Sequence, residues 1–201
     1  MTAVPRLSPE VLDELDRRLA PADAELAARY PGDAGTRQPV HTVYVPADRM
    51  AARLPADWGA QALAALEKHA GSAAALAEAT GIDQALVDQV RPGVLAKLER
   101  EPVEDLRLDF EDGYGSRPPG EEDGHAVGAA RALAGALAGP AAPPYAGLRV
   151  KCLEAATRRR GLRTLDLFLS TLLEEAGLPD GFVVTLPKVC LLYTSPSPRD
   201  S

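Results

Sequence analysis

The chain has 201 residues and a formal net charge of −7, which is enough for one sizeable domain with its own core. The acidic balance argues against nucleic acid as a partner, and no apolar run approaches the roughly 20 residues that a membrane-spanning helix needs. We therefore expect neither a nucleic-acid nor a membrane partner. Two cysteines do not make a disulfide framework, so we expect a cytoplasmic protein.

The first 39 residues are expected to form a helical extension. Ser8 and Pro9 are typical of a helix start, and Leu12, Leu15 and Leu19 follow at helical spacing. Pro21 is expected to end this helix, because proline removes a backbone donor. The sequence therefore predicts a second short helix over residues 22–30.

Residues 40–189 alternate between strand and helix patterns. Strands are predicted near residues 40–46, 106–110, 146–152 and 182–188, from their β-branched and apolar composition. Helices are predicted near residues 56–69, 73–79, 84–99, 121–137 and 163–176, with Ser72 and Asp83 as caps. In the third of these, the spacing of Leu86, Val90, Val94 and Leu98 predicts a packing face.

Apolar strands that alternate with amphipathic helices predict a parallel sheet with right-handed crossovers. Two α/β architectures fit, an open doubly wound sheet and a (β/α)8 TIM barrel. No Gly-x-Gly-x-x-Gly follows any predicted strand, which disfavours the dinucleotide-binding form of the open sheet. We therefore predict a TIM barrel, truncated after about four strands because a whole barrel needs roughly 250 residues.

The last twelve residues, 190–201, differ from the rest in composition. They contain no Ala and no Gly, although both are abundant elsewhere, and they match the translation of a transposase sequencing adapter. We expect this tail to be non-native. The natural protein is then expected to continue beyond Val189, and the 201-residue fragment itself to be inactive.

Polar side chains lie in the last residues of each predicted strand or directly after it, at the edge where a parallel barrel places its active site. They are Tyr44 at the first strand, Asp109, Glu111 and Asp112 at the second, Arg149 and Lys151 at the third, and Lys188 at the fourth. Clustered acids raise one another's pKa unless cations lie among them. The residues therefore predict one common site, with a structural salt bridge as the alternative, above all for Lys151.

Four short motifs occur in a specific order: residues 41–46 (HTVYVP), 109–113 (DFEDG) with Ala130-Arg131 downstream, 148–150 (LRV) and 186–189 (LPKV). Together they resemble the HpcH/HpaI aldolase/citrate lyase family of the phosphoenolpyruvate/pyruvate-domain superfamily. The resemblance covers residues 40–189. It is closest to an actinobacterial branch that has a long helical insert between the first two strands.

The resemblance implies a Mg²⁺-dependent carbon–carbon lyase or aldolase that acts on a 2-oxo acid or acyl-CoA substrate through an enolate. It implies catalytic roles for Asp109, Glu111, Asp112 and Arg149, and substrate binding by Arg149 and Lys188. Lys151 and Tyr44 are expected to bind substrate because of their place at the strand ends. The metal ligands are expected downstream of Val189, so none is assigned in this chain. The full-length protein is expected to bind Mg²⁺, to have CoA as a candidate cofactor, and to form a homo-oligomer.

Three departures weaken the case for a CoA thioester: Lys151 replaces the usual Asn, Gly113 the usual Ala and His41 the common Arg. Residues 158–160 (RRR) with Arg163 could clamp a phosphate or form a solvated basic loop. The alternative functions are a phosphoenolpyruvate- or pyruvate-utilising enzyme of the same superfamily, and a non-catalytic small-molecule-binding barrel.

Overall fold

The structure is a computed structural model that describes residues 8–32 and 35–189. Internal contacts divide the chain into two units, Met1–Gln38 and Pro39–Ser201. The predicted non-native tail, residues 190–201, lies outside the described residues. No helix in the described part of the chain combines the length and the apolar character needed to cross a bilayer.

The first unit forms helix α1 (Pro9–Arg29), which runs through Pro21 without a break. The predicted division into two helices is therefore wrong. Proline costs one backbone hydrogen bond, but Leu19, Ala20 and Ala22 around it have high helix propensity and carry the helix across this position.

The second unit is an α/β structure, as the alternating patterns predict. In chain order its elements are β1 (Thr42–Pro46), a short 3-10 helix (Ala47–Arg49), α2 (Leu54–Ala70), α3 (Ala73–Thr80), α4 (Gln84–Arg100), β2 (Asp105–Asp109), α5 (Pro119–Leu137), β3 (Tyr145–Arg149), α6 (Arg158–Glu175) and β4 (Phe182–Thr185). Ser72 and Asp83 cap α3 and α4 through their side chains, which confirms both predicted caps.

The four strands form one parallel sheet in the order β1-β2-β3-β4, so each strand pairs with the next along the chain. The two faces of the sheet differ sharply. Leu106, Leu108 and Leu148 point to one face and are fully buried against α5 and α6. The other face carries polar residues, including Asp105, Arg107, Asp109 and Arg149. The period-two alternation of a strand produces this division.

Helix α4 buries a different face from the predicted one. Leu86, Val90 and Val94 are exposed, whereas Val87 is buried with 1% exposure. Apolar residues lie on two neighbouring faces of this helix. The face that contains Val87 is the one that packs against α2 and α3.

Helix α6 begins at Arg158, five residues before the predicted start at Arg163. Gly161 lies in its first turns, where a Cβ atom would be 2.6 Å from the carbonyl oxygen of Lys151. Because glycine is a weak helix former, the sequence pattern predicts a helix start after Gly161, which is too late. In the structure this glycine permits close passage of the helix over the end of β3.

Candidate active site

The last rung of the sheet aligns Pro46, Asp109, Arg149 and Thr185 at the carboxyl ends of the four strands. Beyond this rung the chain places two more acids after β2 and a lysine after β4. Asp109, Glu111, Asp112, Arg149 and Lys188 lie together there and are called the strand-end cluster below. Asp109 of β2 and Arg149 of β3, which are 40 residues apart in the chain, thus face each other at this edge.

Asp109 is the most enclosed member of the cluster, with 1% exposure. Its carboxylate accepts hydrogen bonds from the backbone N–H groups of Glu111 at 2.9 Å and Gly113 at 2.8 Å. A Cβ atom on Gly113 would lie 2.6 Å from Asp109 Oδ2, which explains why glycine follows the acids. The strand therefore ends in a turn that the Asp109 carboxylate organises.

Arg149 forms a two-pronged ion pair with Asp109 across β2 and β3. Its Nε donates to Oδ1 at 2.8 Å and its Nη2 donates to Oδ2 at 2.7 Å. Burial alone would raise the pKa of Asp109, but the bonds from Arg149 and the two amides lower it below its ordinary value. The carboxylate is thus held as an anion and the guanidinium is held in one plane.

Tyr44 lies beside this pair. The guanidinium carbon of Arg149 is 4.7 Å from the centre of the Tyr44 ring, within the range of a cation–π contact. Tyr44 is 43% exposed and the Arg149 side chain is 22% exposed, so solvent reaches part of both residues. The structure therefore brings the predicted Tyr44 and Arg149 together at the same strand ends.

Lys188 bridges the two remaining acids. Its Nζ donates to Glu111 Oε1 at 2.6 Å and to Asp112 Oδ1 at 3.1 Å. These hydrogen bonds raise the pKa of Lys188 above the ordinary lysine value. Lys188 also has φ 55°, the one positive φ of a non-glycine residue in the described chain. Strained backbone of this kind is often found at functional sites.

The cluster contains three carboxylates and two cations, and its members differ in access. Glu111 is 9% exposed, whereas the side chains of Asp112 and Lys188 are 66% and 47% exposed. Arg149 Nη1 is 4.0 Å from Asp112 Oδ2, so the two ion pairs adjoin. The cluster thus combines a largely buried ion pair, Asp109 with Arg149, and two accessible charges, Asp112 and Lys188. Such an arrangement can bind a small anion next to acid groups.

Lys151 is not brought into the cluster, although its place at the end of the third predicted strand led us to expect that it binds substrate. Its Nζ donates to the carbonyl oxygens of Phe110 at 2.8 Å and Gly115 at 3.0 Å, and lies 3.7 Å from Glu122 Oε2. The side chain is 14% exposed. Lys151 therefore points into the loop between β2 and α5 and away from Lys188 and Arg149.

Glu122 is a buried acid next to Lys151 that the sequence patterns miss, because acids in a first helical turn are usually explained by the helix dipole. It is 0% exposed and accepts a hydrogen bond from Thr164 Oγ1 at 2.7 Å. One signal is present in the sequence. Glu122 shares a helical face with Ala126, Ala129 and Leu133, all of which are buried.

Two arginines of the basic run at the start of α6, Arg160 and Arg163, pair with acids of α5. Arg160 lies 3.3 Å from Glu122 and Arg163 lies 2.8 Å from Asp123. The run lies in helix α6 and not in a loop, Arg158 and Arg159 remain exposed to solvent, and Arg160 and Arg163 form ion pairs between two helices. The physical cause is that α5 and α6 pack side by side, which no local pattern reveals.

No group of three or more His, Cys, Asp or Glu side chains within residues 8–32 and 35–189 is arranged to hold a metal ion. In the strand-end cluster the carboxylates are already engaged by Arg149 and Lys188. The metal ligands that the resemblance implies are expected past Val189, outside the described residues.

A family model described as a domain of unknown function (DUF6986) matches residues 19–194. No curated protein and no solved structure matches the chain.

Proposed function

We propose that this chain, which belongs to the DUF6986 family, supplies the first four strands of a TIM barrel that acts as a carbon–carbon lyase or aldolase on a 2-oxo acid or acyl-CoA substrate. The observation that carries the proposal is the strand-end cluster, in which Asp109, Arg149 and Lys188 come from three successive parallel strands. The motif resemblance to the aldolase/citrate lyase family supports the same class of reaction.

Two features of the sheet support a barrel over an open doubly wound sheet. The strand order follows the chain order without a reversal, whereas doubly wound sheets reverse at a switch point. Parallel sheets are nearly always covered on both faces. Here Tyr44 and Val183, on the polar face, are 43% and 37% exposed, and closure of a barrel would bury that face.

The charges of the cluster suit stabilisation of an enolate. Asp109 fixes the plane of the Arg149 guanidinium, so its remaining Nη1 donor is held ready for a carboxylate or an enolate oxygen. Glu111 and Asp112 keep Lys188 charged, which argues against a Schiff-base role because an amine nucleophile needs a lowered pKa. The cluster therefore favours electrostatic over covalent catalysis.

Magnesium, when bound, would polarise the substrate carbonyl as a Lewis acid. The described residues do not fit a Mg²⁺ ion by themselves, because the carboxylates of the cluster already pair with cations. The proposed Mg²⁺ dependence therefore requires further ligands from sequence beyond Val189. CoA use, a homo-oligomeric state and a cytoplasmic location belong to the same proposal and are carried only by the resemblance and the composition.

The test uses the protein expressed from the uninterrupted reading frame past Val189. Release of pyruvate or glyoxylate from hydroxy-oxo acids and from acyl-CoA thioesters would be measured with and without Mg²⁺. Turnover that needs Mg²⁺, and that falls by roughly 10²-fold or more in Arg149→Lys, is expected because lysine cannot make the two-pronged contact.

Arg53→Lys is the matched control, because Arg53 is 84% exposed and pairs with Asp57 on the surface of α2. Its turnover should equal that of the wild type. Release of phosphate from phosphoenolpyruvate without carbon–carbon cleavage would support the superfamily alternative instead. Ligand binding that needs Arg149 but gives no product would support the non-catalytic barrel.

A further inference from the structure

Glu122 is a buried carboxylate that the proposed reaction does not use. It lies in the first turn of α5, where Thr164 Oγ1 donates to its Oε1 and Arg160 Nε lies 3.3 Å from the same oxygen. Its Oε2 faces Lys151 Nζ at 3.7 Å and has no hydrogen bond among the described residues. Burial of a charge is strongly unfavourable unless a partner compensates. Helix packing alone would be served by an apolar side chain here.

Lys151, which faces Glu122 Oε2, joins the two ends of the loop of residues 110–115, called the acidic loop below. Lys151 Nζ binds the carbonyl oxygen of Phe110, immediately before Glu111, and that of Gly115, three residues after Asp112. The Tyr114 ring lies 5.4 Å from the same ammonium. One buried cation thus closes residues 110–115 into a loop that presents Glu111 and Asp112 to Lys188.

We propose that Glu122 is a positioning residue, which acts through Lys151 to hold the acidic loop closed so that Glu111 and Asp112 meet Lys188. The statement about the loop stands on the contacts above, and its effect on turnover rests on the proposed function. Without the Glu122 charge, the mostly buried Lys151 ammonium loses its one carboxylate partner in the described structure. A desolvated cation without a counterion favours opening of the loop to water.

The test compares Glu122→Gln with Leu172→Ala by hydrogen exchange. Glutamine keeps the shape and can still accept from Thr164, but it removes the charge that faces Lys151 and Arg160. Arg160 keeps Asp123 as a partner, whereas Lys151 keeps no carboxylate partner among the described residues. Leu172 is fully buried on α6, so its truncation loosens the packing of the second unit without touching the loop. Three amides of the loop report its closure: those of Glu111 and Gly113 donate to the Asp109 carboxylate at the end of β2, and that of Gly115 donates to the carbonyl oxygen of Glu111.

In Glu122→Gln these three amides should exchange roughly tenfold faster, while amides in the middle of α5 keep the wild-type rate. In Leu172→Ala the helix amides should change at least as much as the loop amides. Equal acceleration in loop and helix by Glu122→Gln would show a merely structural role and overturn the proposal. So would a loop that exchanges at the wild-type rate.

Lys151→Met serves as a second variant if Glu122→Gln fails to fold, because it removes the same ion pair with an apolar side chain of similar length. It should accelerate the same three amides. Where Arg149-dependent turnover has been found, Glu122→Gln should lower kcat roughly 10²-fold with little change in KM, since misplacement of catalytic groups acts on the transition state. Failure of turnover in every protein would defeat the proposed function but leave the exchange result to decide the positioning role.

Discussion

Arg149 and Asp109 face each other on neighbouring strands and are joined by two parallel hydrogen bonds of 2.8 and 2.7 Å. Their side chains are 22% and 2% exposed, so the pair is largely withdrawn from water. Such a pair is costly to break from one side, because the remaining charge stays buried. It therefore contributes to folding as well as to the site.

Asp109→Asn should destabilise the second unit by about 2–3 kcal/mol, somewhat below the usual cost of breaking a fully buried pair because Arg149 is partly exposed. Urea unfolding measures the change. Asp57→Asn is the control, because its pair with Arg53 is exposed and 3.4 Å long, and it should change stability by less than about 0.5 kcal/mol. Equal effects of both substitutions would contradict the assigned importance of the pair.

The same substitution should alter the pH dependence of stability. Since the pKa of Asp109 is lower in the folded state, its stabilising contribution is present above the unfolded-state pKa of about 3.9 and is lost as pH falls through the folded-state pKa. The stability gap between wild type and Asp109→Asn should thus be constant from about pH 5 to about pH 8 and shrink below about pH 4. A gap that persists unchanged in acid would refute this linkage.

The sequence was sufficient to predict the strands and the edge on which their polar residues meet. Composition and alternation locate β1 to β4, and the geometry of parallel strands places Asp109 and Arg149 on one rung. These features are local or follow directly from the repeating strand geometry. The positions of Arg149 and Tyr44 could be predicted for that reason.

The two lysines show where such reasoning stops. Lys151 and Lys188 both follow a strand end, yet one enters the loop and the other enters the strand-end cluster. Side-chain alternation no longer holds once a strand has ended, and the positive φ of Lys188 redirects its side chain in a way that no residue pattern signals. Contacts between α5 and α6, which decide the fate of Glu122 and Arg160, are likewise long-range.

Gly147→Ala should separate β4 from β3. A Cβ atom at Gly147 would lie 1.8 Å from the backbone carbonyl oxygen of Val183, and backbone cannot yield as a flexible side chain can. We expect the free energy of unfolding, measured by thermal or urea unfolding, to fall by roughly 1–3 kcal/mol or more, together with loss of any Lys188-dependent turnover.

Gly128→Ala provides the matched comparison for this change. Gly128 lies within α5, and a methyl group added there would meet nothing within 4 Å, so alanine should raise stability by up to about 1 kcal/mol through helix propensity. If Gly147→Ala has the same free energy of unfolding as Gly128→Ala, β3 and β4 do not approach each other closely at Gly147.

Lys188 combines a strained backbone with a charge in the strand-end cluster, and substitutions can separate the effects of the two. Glycine and asparagine tolerate a positive φ, whereas valine does not, so Lys188→Gly and Lys188→Asn should fold more stably than Lys188→Val. All three remove the cation and should lower turnover by roughly 10²-fold, as expected for loss of an electrostatic contact in the site. Urea unfolding and initial rates measure the two effects separately. A valine variant as stable as the glycine variant would contradict the left-handed backbone, and full turnover in the glycine variant would remove Lys188 from the proposed site.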